Sequence, residues 1–128
     1  MERKKILYNV PLEKELGYSR AVRVGNIIAV TGTAATKDGK TVCPGDVYGQ
    51  AKRSLEIIKD VVEKAGGRME DVIRTRVFLK DITTYKEAFK AHGEVFSEIQ
   101  PACTFAGVTG FPNPEWLIEI EADVIVRD

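Results

Sequence analysis

A chain of 128 residues, 44% hydrophobic and 30% charged, has the composition of one globular domain over residues 1–128, long enough to bury roughly two-thirds of its unfolded surface. Nineteen basic residues balance nineteen acidic ones, which argues against bulk attraction to nucleic acid or to an anionic membrane. No apolar run reaches membrane-spanning length, no signal-peptide pattern opens the chain, and Cys43 and Cys103 have neither metal-ligand spacing nor a disulfide framework, so the expected setting is the reducing cytoplasm.

Strand signals come first in chain order. Ala21 to Val24 and Ile27 to Val30 flank Gly25-Asn26, a two-residue turn whose positions both tolerate positive φ. Lys37-Asp38-Gly39-Lys40 is a second turn, and a further short strand can form near Ile6. Tyr48, Ala51, Leu55, Ile58, Val62 and Ala65 then recur at spacings of three and four, the apolar stripe of a helix capped by Asp46 and stopped at Gly66-Gly67. Residues 73–79 read as a strand with Ile73, Val77 and Leu79 on one face and Arg74, Arg76 and Phe78 on the other.

A second helix is expected from Thr84, with Glu87 as its capping-box partner and Tyr85, Ala88, Phe89, His92 and Phe96 as its inner stripe. Gln100-Pro101 ends it, Thr104 to Thr109 forms another strand, and Phe111-Pro112-Asn113-Pro114 turns into the last one. Residues 116–126 alternate almost strictly. Ile118, Ile120, Ala122, Val124 and Val126 share one face, and Glu119, Glu121 and Asp123 share the other. The order β-β-α-β-α-β-β describes an α+β fold, a mixed sheet with two helices on one face. Its other face is left to water or to another subunit. The three carboxylates on that face are either an ordinary solvated row or a pocket wall that uses at least one of them.

The chain resembles the RidA family, also called YjgF/YER057c/UK114. The resemblance lies in Gly17 to Val22, Val24-Gly25-Asn26, Thr31-Gly32, Gln50 through Gly66, Val77 to Asp81, Pro101-Ala102 and Ile118 to Ala122, from about Gly17 to the C-terminus. It implies a chorismate-mutase-like fold, a homotrimer, and small-molecule pockets in the clefts between subunits. It also implies hydrolysis of reactive enamines and imines to a keto acid and ammonia, without a metal or organic cofactor. In that family a glutamate on the last strand handles water or protons at the imine carbon, and an arginine after Pro-Ala grips the substrate carboxylate in a fork.

Carried onto this chain, the glutamate is Glu119, the pocket tyrosine is Tyr18, and the backbone segment is Thr31-Gly32. The arginine is replaced: Pro101-Ala102 is followed by Cys103, with Phe105 at a nearby pocket position where deaminating members carry cysteine. A thiol with a pKa of about 8.5 cannot neutralise a carboxylate at neutral pH. Losing a buried charged pair costs about 2–5 kcal/mol of binding. The expectation is a small-metabolite-binding trimer with enamine/imine deaminase activity of altered substrate specificity. The alternative is a non-enzymatic ligand-binding or regulatory trimer, and a ribonuclease or translation inhibitor is less favoured.

Several residues admit two readings. Arg74 and Arg76 are expected to pair with Glu121 or Asp123 across the sheet; the sharper reading sends one of them into the cleft in place of the absent arginine. Cys103 is expected to line the pocket rather than act as a nucleophile, because no histidine is near it in sequence and the only one, His92, lies on a helix. Cys43 is read as a loop residue and His92 as packing between helix and sheet. Tyr18 supplies either a pocket hydroxyl or interface packing, and Phe105 and Trp116 supply either ligand contacts or ordinary packing.

Overall fold

The computed structural model describes residues 1–127. Its strands are β1 (Arg3–Ile6), β2 (Ala21–Val24), β3 (Ile27–Thr33), β4 (Thr36–Lys37) and β5 (Lys40–Thr41), then helix α1 (Val47–Lys64), β6 (Val72–Leu79), helix α2 (Tyr85–Phe96), β7 (Ala102–Gly107) and β8 (Ile118–Ile125). One six-stranded sheet has the order β1-β2-β3-β8-β6-β7, parallel only between β6 and β7 and antiparallel elsewhere. The β4-β5 hairpin stands apart, its turn using positive φ at Asp38 and Gly39 as the Lys37–Lys40 signal predicts.

Alternation on β8 is realised residue by residue. Ile118, Ile120, Ala122 and Val124 are fully buried against the helices, while Glu119, Glu121 and Asp123 stay partly accessible on the far face. The core continues into Val77 and Leu79 of β6, Ile28 and Val30 of β3, and the inner side of α1. That side is wider than a single stripe: Val47, Gln50, Ser54, Ile57 and Val61 are buried beside Ala51, Leu55, Ile58 and Val62. The helix packs on both the sheet and α2, so a 100°-wide apolar face is not enough. Asp46 caps α1 by accepting from the Gly49 N–H at 3.0 Å, and Gly66 ends it at φ +90°.

Three expectations are corrected. Ile73 does not face the core: a bulge between Val72 and Arg74 puts Val72 inside and leaves Ile73 48% exposed. The Thr84–Glu87 capping box does not form, because the Thr84 hydroxyl donates to the Asp81 carbonyl at 2.6 Å across a short 3₁₀ turn (Ile82–Thr84). The inner stripe of α2 is Ala88, Ala91 and Phe96, with Tyr85 and Phe89 exposed at its rim. In addition, β7 begins two residues before the expected Thr104, at Ala102.

The C-terminal end is anchored by a buried carboxylate. Asp71, with a side chain 1% exposed, accepts from Arg127 Nε and from the Arg68 N–H, each at 3.1 Å. Burial pushes its pKa up, but these donors outweigh it and hold the carboxyl below its ordinary value. A depressed acid stabilises the fold above its unfolded pKa, and that contribution is lost as pH falls through the folded one. Asp71→Ala is therefore expected to cost about 1–3 kcal/mol at neutral pH, with the gap to the wild type closing below the ordinary aspartate range. Thermal unfolding across pH measures both.

Candidate functional site

The segment before β2 is fixed by a buried acid. Glu13 is 5% exposed, and its carboxylate accepts from the Tyr8 N–H at 2.8 Å and the Val10 N–H at 3.1 Å. A five-residue π-turn (Glu13–Gly17) follows, closed by the Tyr18 N–H donating to the Glu13 carbonyl and by Gly17 at φ +89°. Tyr18 is delivered in this way to the start of β2. The Thr31 hydroxyl donates to the Ser19 carbonyl at 2.6 Å, and the Thr31 N–H to the Arg20 carbonyl at 3.1 Å. Tyr18 and Thr31 both line an open cavity of about 1020 Å³ over β1–β3, together with Glu13, Lys5, Val22 and Ala29.

Beyond Thr31 the β3–β8 register slips between Val30 and Thr33, which lets the chain pass close to Glu119. A Cβ at Gly32 would lie 2.8 Å from Glu119 Oε1, so glycine is what allows this carboxylate to lie against the β3 backbone. Glu119 is half-buried. Burial raises its pKa, the Arg20 charge lowers it in part, and Glu121 raises it further. The net shift is upward, so the protonated form of Glu119 is favoured relative to that of an exposed glutamate.

The other two carboxylates of the row are engaged elsewhere. Arg76 Nη1 lies 3.3 Å from Glu121 Oε1 and 3.1 Å from Asp123 Oδ2, the cross-sheet pairing expected of it. Among the described residues Glu119 has no such ion pair. The charge that it senses belongs to Arg20, which the sequence reading passed over inside the Gly17–Val22 motif. Arg20 donates through Nη2 to Thr33 Oγ1 at 2.7 Å, and its Nε is buried without a partner among the described residues. An arginine directly before a buried Ala21, in an otherwise apolar strand start, is the signal that could have drawn attention to it.

Cys103 and Phe105 lie elsewhere. They pair in register with Thr75 and Val77, whose side chains face the helices, whereas Glu119 pairs with Phe78 on the opposite face. Phe105 packs edge-on to Phe89 at 4.7 Å and near His92 at 5.8 Å. His92 sits between helix and sheet, as its sequence position suggests, with Nε2 2.8 Å from Thr75 Oγ1. Trp116 is partly buried before β8. Within one chain, then, Tyr18 and Thr31 line the cavity over β1–β3, Glu119 lies against Gly32 next along β3 and outside that cavity's lining, and Cys103 and Phe105 lie on the other side of the sheet under α2.

The family model described as Endoribonuclease L-PSP matches residues 10–126. A crystal structure of a YjgF/YER057c/UK114 family member from Mycobacterium tuberculosis superposes with a TM-score of 0.89 at 34% identity, covering 98% of this chain and 100% of that one. The chain belongs to the RidA (YjgF/YER057c/UK114) family. A 2-iminobutanoate/2-iminopropanoate deaminase of Escherichia coli strain K12 is 33% identical over 117 residues, 86% of this chain and 88% of its own length. A RutC family protein of Pyrococcus abyssi is 35% identical over 122 residues, 93% and 94% of the two chains.

The architecture is the chorismate-mutase-like α+β fold of the RidA family, with both long helices on one face of the sheet. Among the described residues no helix is long and apolar enough to cross a membrane, and no group of three or more His, Cys, Asp or Glu side chains is placed to hold a metal ion.

Proposed function

We propose that this RidA-family chain is a cofactor-independent cytoplasmic hydrolase of small imines or enamines, with Glu119 as the proton-handling group. The observation that supports it is the segregation of the carboxylate row. Glu121 and Asp123 share Arg76, while Glu119 is held half-buried against Gly32 with an upward-shifted pKa.

The chemistry follows from that placement. An ionised Glu119 takes a proton from water as the oxygen adds to the carbon of the protonated imine, whose C=N π electrons move onto nitrogen to give a neutral carbinolamine. Glu119 then returns that proton to the amine nitrogen and takes the hydroxyl proton as the C–N bond breaks, and passing it to the released ammonia leaves the carbonyl product, ammonium and ionised Glu119. Tyr18, Thr31 and Gly32 form the wall that orients the substrate. Cys103 and Phe105, on the far side of the sheet, enter such a pocket when contributed by a neighbouring copy in a homotrimer. A thiol at position 103 leaves the substrate carboxylate without a guanidinium from β7, so the preferred substrates lack that carboxylate or have its charge met by Arg20, whose Nε has no partner among the described residues.

Ammonia release from imines generated in solution by an amino-acid oxidase tests this reading. Turnover above the uncatalysed rate is expected, slow on carboxylate-bearing imines and raised about tenfold or more by Cys103→Arg. No release from any carboxylate-bearing or carboxylate-free imine would end it, and leave the alternative of a ligand-binding or regulatory trimer, in which Glu119→Ala changes affinity alone. The family description raises a ribonuclease as a further reading; incubation with single-stranded RNA under the same conditions is expected to leave it intact.

A further inference from the structure

A closed set of hydrogen bonds ties the start of β2 to the bulged end of β3. Arg20 Nη2 donates to Thr33 Oγ1 at 2.7 Å, and that hydroxyl donates in turn to the Thr31 carbonyl at 2.7 Å. The Thr31 N–H returns to the Arg20 carbonyl at 3.1 Å, and the Thr31 hydroxyl bonds the neighbouring Ser19 carbonyl. Thr33 is fully buried, so water does not compete for its hydroxyl. Between the two threonines lies Gly32, the residue against which the Glu119 carboxylate rests.

The guanidinium is held from a second side. It lies over the Tyr8 ring, 6.0 Å from the centroid, and the Tyr8 hydroxyl donates to Asp60 of α1 at 2.6 Å. Among the described residues Arg20 forms no ion pair with an acid. Its charge is felt by Glu119 instead. Burial raises the Glu119 pKa, Arg20 lowers it, and Glu121, which shares Arg76, raises it again. The other groups set against Glu119, Gly32 on β3 and Phe78 paired with it on β6, carry no charge. Arg20 is therefore a cation whose place is set by the fold, beside a base that has no ion pair. A fixed charge of this kind needs no rearrangement when the base gains or loses a proton.

We propose that Arg20 is a positioning residue for Glu119. Through Thr33 it fixes the bulge on which the carboxylate rests, and its charge favours the ionised form that takes a proton from water. The effect on turnover rests on the imine reading. The effects on the bulge and on the Glu119 carboxyl do not.

The test compares Arg20→Gln with Arg20→Lys, and Thr33→Val with Thr33→Ser, in the full-length protein. The Glu119 carboxyl is titrated by NMR on protein carrying isotope-labelled glutamate, its signal assigned by its loss in Glu119→Gln. Exchange of the backbone amides from Val30 to Thr33 is followed by mass spectrometry, and neither measurement needs a substrate. Arg20→Gln removes the charge and is expected to move the Glu119 titration upward, whereas Arg20→Lys keeps the charge and stays near wild type. Thr33→Val breaks the relay and is expected to speed exchange across the bulge by about fivefold, the worth of one hydrogen bond. Thr33→Ser keeps the hydroxyl and should exchange as wild type does. On an imine without a carboxylate, the rise of kcat with pH should shift upward in Arg20→Gln together with the titration, at an unchanged KM. A Glu119 titration unmoved in Arg20→Gln would overturn the role of the charge, and equal exchange in Thr33→Val and Thr33→Ser would overturn the relay. A KM raised in Arg20→Gln for carboxylate-bearing imines alone, at an unmoved titration, would make Arg20 a substrate ligand and overturn the proposal. If no imine is turned over, the imine reading fails, and the titration and the exchange still decide the role of Arg20.

Discussion

Replacing Glu119 with glutamine is expected to cut imine hydrolysis by about 10²–10⁴-fold, the span that a positioned acid–base group contributes, and at the same time to raise the melting temperature at neutral pH. Both effects have one cause. The carboxylate is half-buried against Gly32, and burial raises its pKa more than Arg20 lowers it. The folded state therefore binds the Glu119 proton more tightly than the unfolded chain does. Above the folded pKa the group is ionised in both states, and the fold bears the whole cost of a poorly solvated charge. Below the unfolded pKa it is protonated in both, and the cost is gone.

Glutamine keeps the shape and removes the charge. Its stabilising effect should be greatest at neutral pH and should fade as pH falls through the folded pKa toward the ordinary carboxylate range. The wild-type rate should rise with pH through that same raised pKa, because only the ionised form takes a proton from water. Glu121→Gln, in contrast, loosens the Arg76 pairing and should leave turnover close to wild type. An active Glu119→Gln protein would remove the residue from the chemistry. A variant less stable than wild type at pH 7 would remove the burial argument.

What was legible in the sequence is what periodicity and local capping decide. The alternation of β8 named the buried and open faces correctly because its register with β6 runs unbroken from Ile118 to Asp123, and the slip on its other side puts the extra residue in β3 rather than in β8. Asp46 and Gly66 marked the ends of α1 because a cap is a contact within one turn. The features that escaped depend on packing between elements. Ile73 was turned outward by a bulge that a count of two cannot foresee, and Phe89 was left at the rim because α2 lies over the sheet's edge strand. Cys103 and His92 are 11 residues apart and became neighbours only through the parallel crossover. The same limit applies at the site. Glu119 could be named from its strand and family motif, but its separation from Glu121 and Asp123 depends on where the Arg76 guanidinium reaches, and no spacing rule states that.

Gln50→Leu is expected to be a strongly destabilising change near the site, costing about 2–4 kcal/mol by taking away the side-chain partner of the part-buried Glu115 carbonyl and Leu117 N–H, while the Cys43 carbonyl keeps the Asp46 N–H. Gln50 is fully buried on α1, a polar residue among Val47, Ala51 and Ser54. Its Nε2 donates to the carbonyls of Cys43 at 3.2 Å and Glu115 at 3.0 Å, and its Oε1 accepts from the Leu117 N–H at 2.9 Å. Leucine fills nearly the same volume, so the loss is one of hydrogen bonding rather than of packing. A drop in melting temperature on the order of 10–20 °C follows for a domain of this size. The consequence reaches the candidate site because Leu117 immediately precedes β8, two residues before Glu119, and is held from its other side by the Lys80 N–H donating to its carbonyl at 3.0 Å. Releasing one of these two ties lets the start of β8 shift relative to Gly32, so turnover measured well below the melting temperature should fall further than the folded fraction does. Gln50→Glu separates the two effects. Its carboxylate still accepts from Leu117 but presents charge to two carbonyls, so it should be destabilised at neutral pH and partly recover in mild acid, where the protonated side chain donates to one of them. A Gln50→Leu protein that melts within a few degrees of wild type would show that α1 does not fix the entry to β8, and the placement of Glu119 would then have to come from the sheet alone.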